Sequence, residues 1–223
     1  MGTTGQTGPR RVRSFVRRTG RVTAGQQRAL AELWPRWGVE PPADTLDLDT
    51  LFGRQAPRVM EIGIGNGDVL LTMAAQYPEQ DFLGVEVHEP GIGHCLLGLE
   101  KAGLDNVRLI REDAVVVLQH WLAGACLDRV NLFFPDPWPK KRHHKRRIVQ
   151  PAFVALVAAR LKPGGLLHMA TDWAPYAEHI EEVLAASADF VPLAADSDRP
   201  PTKFERRGER LGHEIRDLRY RRQ

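Results

Sequence analysis

The sequence predicts an α/β fold in which about seven strands form a mostly parallel sheet with helices on both faces. Three observations predict it. Short apolar runs alternate with longer amphipathic stretches, the loops between them are short, and a glycine-rich turn joins the first apolar run to a helical stretch. Because parallel neighbours need a crossover, this alternation puts the helices on the faces of the sheet. With 223 residues, the chain is long enough for one such domain and a short arm.

The first part of the chain is predicted to be an arm followed by one helix. Residues 1–22 form a basic arm that we expect to be disordered, and residues 23–223 form a single domain. Thr23 is a good N-cap for a helix over residues 24–34, because its hydroxyl can accept from a free backbone amide. Pro35 is expected to end that helix.

From residue 44, a leucine-rich connector leads into the regular part of the chain. Runs rich in Val, Ile, Leu and Phe are assigned to strands, and longer stretches with apolar residues three or four apart are assigned to helices. The predicted elements are strand 58–62, helix 68–76, strand 82–87, helix 90–102, strand 107–111, helix 114–121, strand 127–134, helix 149–161, strand 165–170, helix 176–186, strand 190–193 and strand 215–221.

The net charge of +3 conceals an uneven distribution. Residues 10–21, 140–147 and 199–222 together contain 21 of the 31 Lys and Arg residues but only four of the 28 acids. The rest of the chain is strongly acidic, with 10 cations and 24 acids. A polyanion that touches several separate basic segments would explain this sorting, whereas a uniform solubilising charge would not. For the arm alone, a solubilising tail is an equal alternative.

Other features exclude several classes of protein. No apolar run is long enough to cross a bilayer, and the N-terminus lacks the core of a signal peptide. Cys95 and Cys126 are isolated and lack the spacing of metal ligands. We therefore expect two inert thiols, no bound metal and a cytoplasmic location.

Carboxylates surround the glycine turn that follows the first predicted strand. The turn contains Gly63, Gly65 and Gly67. Glycine there lets the backbone turn sharply and lets a ligand approach closely. Glu61 precedes the turn. Glu86, at the end of the second predicted strand, is placed to accept from two ribose hydroxyls, and Asp113, just after the third, is placed to accept from an adenine amino group. Three acids disfavour a phosphate and favour a cationic nucleoside. The alternative, acids that cap helices, suits any one of them better than all three.

Asp136 and Trp138 lie on a loop stiffened by three prolines, directly after the fourth predicted strand. Residues 140–147 follow and are all Lys, Arg or His. A carboxylate, a flat ring and a cationic run side by side suit a site that holds a base and its phosphates. The alternatives are that Asp136 caps a helix, that Trp138 packs the loop and that the run is a solvated face.

These features together resemble a class I S-adenosylmethionine-dependent methyltransferase of Rossmann-like fold, as does Arg-Leu-Lys-Pro-Gly-Gly-Leu-Leu at 160–167. Four further motifs resemble the bacterial tRNA (guanine-N7-)-methyltransferase family. They are Pro-Asp-Pro-Trp-Pro-Lys-Lys-Arg-His at 135–143, Ala-Thr-Asp-Trp at 170–173, Thr-Lys-Phe-Glu at 202–205 and Arg-Ser-Phe-Val-Arg-Arg-Thr-Gly-Arg at 13–21. The resemblance covers nearly the whole chain and departs at none of these motifs.

The resemblance implies an enzyme that transfers the methyl group of S-adenosyl-L-methionine to N7 of a guanine in tRNA, at position 46 of the variable loop. It implies a cofactor site made of Glu61, Gly63, Gly65, Gly67, Glu86, Asp113 and Asp136. Asp136 is also the implied catalytic residue. The implied contacts to the guanosine come from Lys140, Asp172, Thr202, Lys203, Phe204 and Glu205.

Guanine N7 carries a lone pair and no proton, so methylation there needs no general base. The site must hold N7 in line with the S–CH₃ bond and stabilise the cationic purine that forms. Asp136 or Asp172 would orient the ring by accepting from N1–H and the exocyclic amine. The rival interpretations are a methyltransferase of exocyclic amines, a catalytically silent RNA-binding module and a dehydrogenase, in which Glu61 would repel a pyrophosphate.

Overall fold

The computed structural model of the protein describes residues 14–15, 20–194, 198–201, 205 and 214–223. Within this part of the chain, eight strands form one sheet. They are β1 (Gly38–Val39), β2 (Arg58–Ile62), β3 (Asp81–Val85), β4 (Val107–Ile110), β5 (Leu127–Phe133), β6 (Leu161–Thr171), β7 (Phe190–Pro192) and β8 (Arg216–Arg222). Their spatial order is β1-β4-β3-β2-β5-β6-β8-β7. All pairs from β1 to β6 are parallel, and β8 is antiparallel to β6 and β7. The predicted, mostly parallel sheet is confirmed.

Helices cover both faces of this sheet. They are α1 (Ala24–Glu32), α2 (Trp34–Trp37), α3 (Leu48–Phe52), α4 (Asp68–Gln76), α5 (Glu89–Ala102), α6 (Ala114–Val116), α7 (Pro151–Arg160) and α8 (Ala174–Ala185), with a π-helical turn at Val117–Trp121 and a 3-10 helix at Lys141–Arg146. One apolar layer lies beneath α1, α4 and α5, and the other beneath α6, α7 and α8. Every residue of β2 and β3 is buried, as expected for strands covered on both faces.

Three local differences from the sequence predictions have simple causes. Pro35 does not end the first helical region, because it lies in the first turn of α2, where its missing N–H is not needed. The connector contains α3, since Asp47 accepts from the amides of Asp49 and Thr50 and Gly53 ends the helix in the left-handed region. The short strand β1 was not predicted, because two residues carry no periodicity and owe their strand geometry to pairing with β4.

Parallel register brings the carboxyl ends of the central strands to one edge. Ile62, the last residue of β2, pairs with Val85 at the end of β3 and with Leu132 near the end of β5. Val85 pairs in turn with Ile110, the last residue of β4. Loops that follow these strands therefore start at the same level of the sheet, side by side.

A buried ion pair fastens the opposite, amino edge. Arg58 begins β2 and is 2% exposed, and its Nη1 lies 2.5 Å from Oδ2 of Asp81 at the start of β3. Its Nη2 lies 2.9 Å from a carboxylate oxygen of Asp49. Removing one partner of such a pair leaves an uncompensated buried charge and costs about 3–5 kcal/mol. This cluster therefore supports the sheet far from the carboxyl ends.

Candidate active site

Five candidate site residues each follow a different strand of the central sheet. Gly63 follows β2, Glu86 follows β3, Asp113 lies in the loop after β4, Asp136 follows β5 and Asp172 follows β6. These strands are neighbours in the order β4-β3-β2-β5-β6. The structure thus brings together, at one edge, residues that are far apart in sequence, which is where parallel sheets bind ligands.

A cavity of about 230 Å³ opens at this edge. Its acidic lining residues are Glu86, Glu112, Asp113 and Asp136, and no Lys or Arg lines it among the described residues. Ser14 and Phe15, from the predicted arm, also line it. A lining of four carboxylates, with no described Lys or Arg among them, repels a phosphate and attracts a positively charged ligand.

The glycine turn borders this cavity through Gly63. Gly63 and Gly65 have φ values of 74° and 55°, which favour glycine, and no described atom lies within 4 Å of where a Cβ would be placed on either. Gly67 has a different constraint, because a Cβ there would lie 2.5 Å from Sγ of the buried Cys95. Gly63 and Gly65 thus leave room for a ligand, while Gly67 lets α4 pack closely on α5.

Glu86 connects the glycine turn to the end of β3. Its Oε2 accepts from the amide of Gly65 at 2.9 Å, and its Oε1 accepts from the amides of Val87 at 2.7 Å and His88 at 3.0 Å. Both carboxylate oxygens are therefore held in place before any ligand arrives. The side chain still lines the cavity, so its remaining lone pairs are available to a ligand.

Asp113 caps a helix and also lies at the cavity. It caps α6, since its Oδ1 accepts from the amide of Val115 at 3.0 Å, and it also lines the cavity. The neighbouring Glu112 lines the cavity too, and its carboxylate accepts from the amide of Asp113 at 2.7 Å. Sequence reasoning missed Glu112, although its position directly after β4 and beside Asp113 was an available signal.

Glu61 lies beneath the turn and does not line the cavity. It is 4% exposed, and its Oε2 has no hydrogen-bond partner among the described residues. Burial raises the pKa of Glu61 to about 8, against the opposing charge of Arg129. Burial and the charges of Glu61 and Asp68 also raise the pKa of the Cys95 thiol. A role for Glu61 in holding a cofactor stays a prediction.

The loop that carries Asp136 is strained. Phe134 and Trp138 have φ values of 50° and 45°, a region that bulky residues avoid at a cost of about 1–3 kcal/mol each. The amide of Phe134 donates to the carbonyl of Ala170 at 2.8 Å, which ties the loop to β6. Asp136 is exposed between these two residues. The neighbouring strand thus holds a conformation that presents this carboxylate to the cavity.

Trp138 packs the loop and does not face the cavity. Its Nε1 donates to the carbonyl of Ser14 at 3.1 Å. The ring of His143 lies edge-on at 5.7 Å, and the guanidinium of Arg146 lies 5.0 Å from the indole centroid. Of the two interpretations of Trp138, packing is the one that these contacts support. Through Ser14, Trp138 also holds the described part of the arm against the site.

The cationic run divides into exposed and buried members. Lys140, Lys141, Arg142 and Lys145 are exposed. Arg147 is only 3% exposed, because its Nε donates to the carbonyl of Pro137 and its Nη1 to that of Pro175. The interpretation of all six cations as contacts for a polyanion is therefore wrong for Arg147, which fixes the loop instead.

A second cavity, of about 250 Å³, lies at the ends of β6 and β8. Asp172, Trp173, Glu214 and Arg216 contribute to its lining. Asp172 follows β6 directly, and the register pairs Arg216 of β8 with Thr171. This cavity therefore combines a carboxylate and an indole ring one strand away from the Asp136 loop.

Of the predicted guanosine contacts at 202–205, only Glu205 lies within the described residues. Its Oε2 accepts from Nη1 of Arg199 at 2.6 Å and its Oε1 from Nη2 at 3.1 Å. Thr202, Lys203 and Phe204 lie outside the described residues, as do most residues of the predicted arm. The roles given to all the site residues stay predictions.

Two further properties concern the described residues as a whole. They contain no group of three or more His, Cys, Asp or Glu side chains arranged to hold a metal ion. None of their helices combines the length and the apolar character that a bilayer crossing requires.

The fold defines the class of protein. The structure resembles the aminoglycoside resistance methyltransferase NpmB1, with a TM-score of 0.58 and 17% sequence identity over 79% of this chain and 92% of that protein. A family model described as "Putative methyltransferase" matches residues 55–218. The class is that of the class I methyltransferases with a Rossmann-like fold.

Sequence relatives narrow the class to one family. The chain is 58% identical to the tRNA (guanine-N(7)-)-methyltransferase of Halorhodospira halophila over 96% of each protein. It is also 58% identical to the enzyme of the same name from Alkalilimnicola ehrlichii, over 96% of this chain and 94% of that one. This protein belongs to the tRNA (guanine-N(7)-)-methyltransferase family.

The buried carboxyl of Glu61 yields a prediction about pH. Its pKa of about 8 in the folded protein lies above the unfolded value of about 4.3. Such a group contributes stability below the unfolded pKa, and this contribution is lost as pH rises through the folded pKa. In the ligand-free protein, Glu61→Gln should therefore raise Tm relative to wild type, by a margin that widens between about pH 5 and about pH 8.

Thermal unfolding followed by circular dichroism at several pH values measures this margin. The exposed Glu79 provides the control, and Glu79→Gln should leave the difference in Tm flat with pH. A Glu61→Gln margin that does not change with pH would contradict the burial of an uncompensated carboxyl.

Proposed function

We propose that this protein transfers the methyl group of S-adenosyl-L-methionine to N7 of a guanine in tRNA, at position 46 of the variable loop. The observation that carries the proposal is that an acidic surface and a basic surface lie side by side at one edge of the sheet. An acid-lined cavity without a described cation lies beside an exposed cationic helix, Lys141–Arg146. The first suits a cationic donor and the second suits a polyanionic acceptor. Membership of the family supports both assignments.

The cofactor, when bound, supplies an electrophilic methyl group on a sulfonium. The chain's own residues suit it, because the cavity presents carboxylates and, at Gly63, open space where a side chain would otherwise lie. We assign the ribose hydroxyls to Glu86 and the adenine amino group to Asp113. Gly63 and Gly65 leave room for the ligand, and Oε2 of Glu61, which has no hydrogen-bond partner among the described residues, lies beneath the turn.

The reaction requires the enzyme to orient the base. Since guanine N7 has no proton, no residue has to act as a base there. Asp136 and Asp172 follow the adjacent strands β5 and β6, and their carboxylates can accept from the N1–H and the exocyclic amine of guanine. Their charge also favours the cationic purine as it forms. Positioning of the two reactants can supply about 7–11 kcal/mol of such a barrier. Asp136 is in this account an orienting and electrostatic residue.

The guanosine would lie between the two cavities. Trp173 lines the second cavity beside Asp172 and offers a ring for stacking, worth about 1–3 kcal/mol per base. The exposed Lys140 would contact a phosphate near the target nucleotide. Glu205, with Thr202, Lys203 and Phe204 before it, completes the guanosine contacts in this proposal.

We also propose the organisation that the sequence predicts, a basic arm over residues 1–22 and a single domain over 23–223. Ser14 and Phe15 line the cavity, which supports a role for the arm at the site. A cytoplasmic location is supported by the two cysteines, since both thiols are free and free thiols suit a reducing compartment. The reaction needs no metal in this account.

The direct test is a nucleoside digest. Unmodified tRNA incubated with the protein and S-adenosyl-L-methionine should yield N7-methylguanosine after nuclease treatment and mass spectrometry. A tRNA with adenine at position 46 should yield none, because adenine presents no N1–H to a carboxylate. Label on an exocyclic amine, or on the adenine variant, would instead favour a methyltransferase of amines.

The same assay separates catalysis from binding at Asp136. Asp136→Asn keeps the size of the side chain but removes its charge, so product formation should fall by about 100-fold or more. The residue is exposed, so Tm should change little. Full activity of Asp136→Asn, or a large fall in Tm, would return Asp136 to a structural role.

The exposed members of the cationic run should bind the tRNA backbone. Replacing Lys141 and Lys145 by alanine should weaken tRNA binding and reduce the slope of log K against log salt by about 0.9 for each phosphate that is no longer neutralised. Fluorescence anisotropy across a salt series measures this slope. The control replaces Lys101, which is exposed at the end of α5 and at the amino edge of the sheet. A double variant with the same slope as this control would show that the run is only a solvated face.

A further inference from the structure

One face of the sheet is unusually polar where β5, β6 and β8 lie side by side. Strands of a sheet that is covered on both faces are normally apolar throughout. Here the buried residues include Asn131 on β5 and His168 on β6, both 0% exposed. Arg129 on β5 and Asp217 on β8 lie beside them, with side chains 12% and 13% exposed. Such a layer needs specific partners, because buried polar groups without hydrogen bonds are costly.

Two consecutive residues, Asp198 and Arg199, dock onto this layer. Arg129 donates from Nη1 and Nη2 to the two oxygens of Asp198, at 2.6 Å and 2.8 Å. Arg199 donates from Nε and Nη2 to the two oxygens of Asp217, at 2.8 Å and 3.0 Å. Both pairs are bidentate, which fixes orientation as well as distance. The chain before Glu205 is therefore anchored to β5 and to β8.

Arg199 also holds Glu205. Four hydrogen bonds leave its guanidinium, two to Asp217 and two to Glu205. Its side chain is only 2% exposed, so these bonds are largely shielded from water. One planar group thus bridges a strand of the sheet and a carboxylate that the proposed function gives to the guanosine.

His168 keeps Asp217 in place from the other side. Nδ1 of His168 lies 2.9 Å from Nη2 of Arg129, which can only donate, so Nδ1 accepts. The other nitrogen, Nε2, then carries the proton and donates to Asp217 at 2.7 Å. Burial accordingly lowers the pKa of His168, against its hydrogen bond to Asp217. Burial alone would raise the pKa of Asp217, but hydrogen bonds from His168 and Arg199 hold it well below its usual range.

The same guanidinium touches the wall of the cofactor cavity. It lies 5.7 Å from the ring centroid of Phe133 and 5.4 Å from that of Phe134. Both rings line the acidic cavity, and Phe134 leads directly into Pro135 and Asp136. Arg199 is therefore in contact with the segment before Asp136 and with Glu205 at the same time.

We propose that Arg199 is a positioning residue that sets the Glu205 carboxylate against the acidic cavity, with Asp217 as its anchor on the sheet. The proposal rests on the proposed function, in which Glu205 contacts the guanosine. Arg199 does not touch the substrate in this account and moves no proton. Its effect is on geometry, and a displacement of about 1 Å in a reacting group can cost about 100-fold in rate.

The first experiment compares two equally buried arginines. Arg199→Met should lower kcat/KM for tRNA by about 100-fold, while the dissociation constant for S-adenosyl-L-methionine, measured by calorimetry, stays close to wild type. Arg58→Met is the matched control, because Arg58 is also held by two carboxylates but lies at the amino edge. It should lower Tm and leave kcat/KM for tRNA near wild type below its Tm. An Arg199→Met variant that behaves like Arg58→Met would overturn the proposal.

A double-mutant cycle tests whether Arg199 acts through Glu205. If it does, Glu205→Gln in an Arg199→Met background should add little to the loss, whereas independent effects would multiply. Arg199→Lys should recover only part of the activity, since an ammonium cannot form two bidentate pairs. Multiplicative losses, or full activity in Arg199→Lys, would contradict the bridging role. If Arg199→Met does not fold, the cycle is run with Arg199→Lys.

The outcomes also separate this proposal from the function on which it rests. Wild-type protein that binds S-adenosyl-L-methionine but methylates no tRNA would refute the proposed function. Active wild type and impaired Glu205→Gln, combined with a fully active Arg199→Met, would refute only the role of Arg199.

Discussion

The parallel pairing of β2 through β6 is the constraint on which the rest of the site depends. It brings five strand ends to one edge of the sheet. Gly63, Asp172 and the site residues between them therefore lie close together because of strand pairing, and contacts between their loops are not needed to bring them there. Glu86 then couples two of these ends, because its oxygens accept from the amides of Gly65, Val87 and His88. The cavity is thus shaped by the backbone before a ligand binds.

Charge is the second organising property, and a cationic helix adjoins the acidic cavity on one side. Four acids line the cavity, while the exposed Lys141, Arg142 and Lys145 lie on the 3-10 helix that follows the Asp136 loop. Trp138 and Arg147 lie between them and hold the loop in a strained backbone conformation. A cationic donor and a polyanionic acceptor can therefore approach the same carboxylate from sides of opposite charge.

Much of this arrangement was predictable from the sequence, since strand periodicity, the glycine turn and an acid after each strand are local signals. The bounds of β2 and α4 were predicted as they are found. Long-range contacts were not predictable. Arg147 and Arg199 looked like members of basic segments, yet both are buried and bind groups distant in sequence. The local sequence does not distinguish a solvated arginine from a buried one, because burial depends on hydrogen-bond partners that are distant in the sequence.

The central claim is that the carboxyl edge, with Glu86 at its centre, is a preformed site for a cationic nucleoside donor. Titration calorimetry of S-adenosyl-L-methionine into wild type and Glu86→Ala tests it most directly, with Glu79→Ala as the exposed control. The account predicts that Glu86→Ala weakens binding by about 10-fold to 100-fold, since hydrogen bonds to a charged group are removed, and that Glu79→Ala binds like wild type. Equal affinity of Glu86→Ala and wild type, or no binding by wild type, would contradict the account.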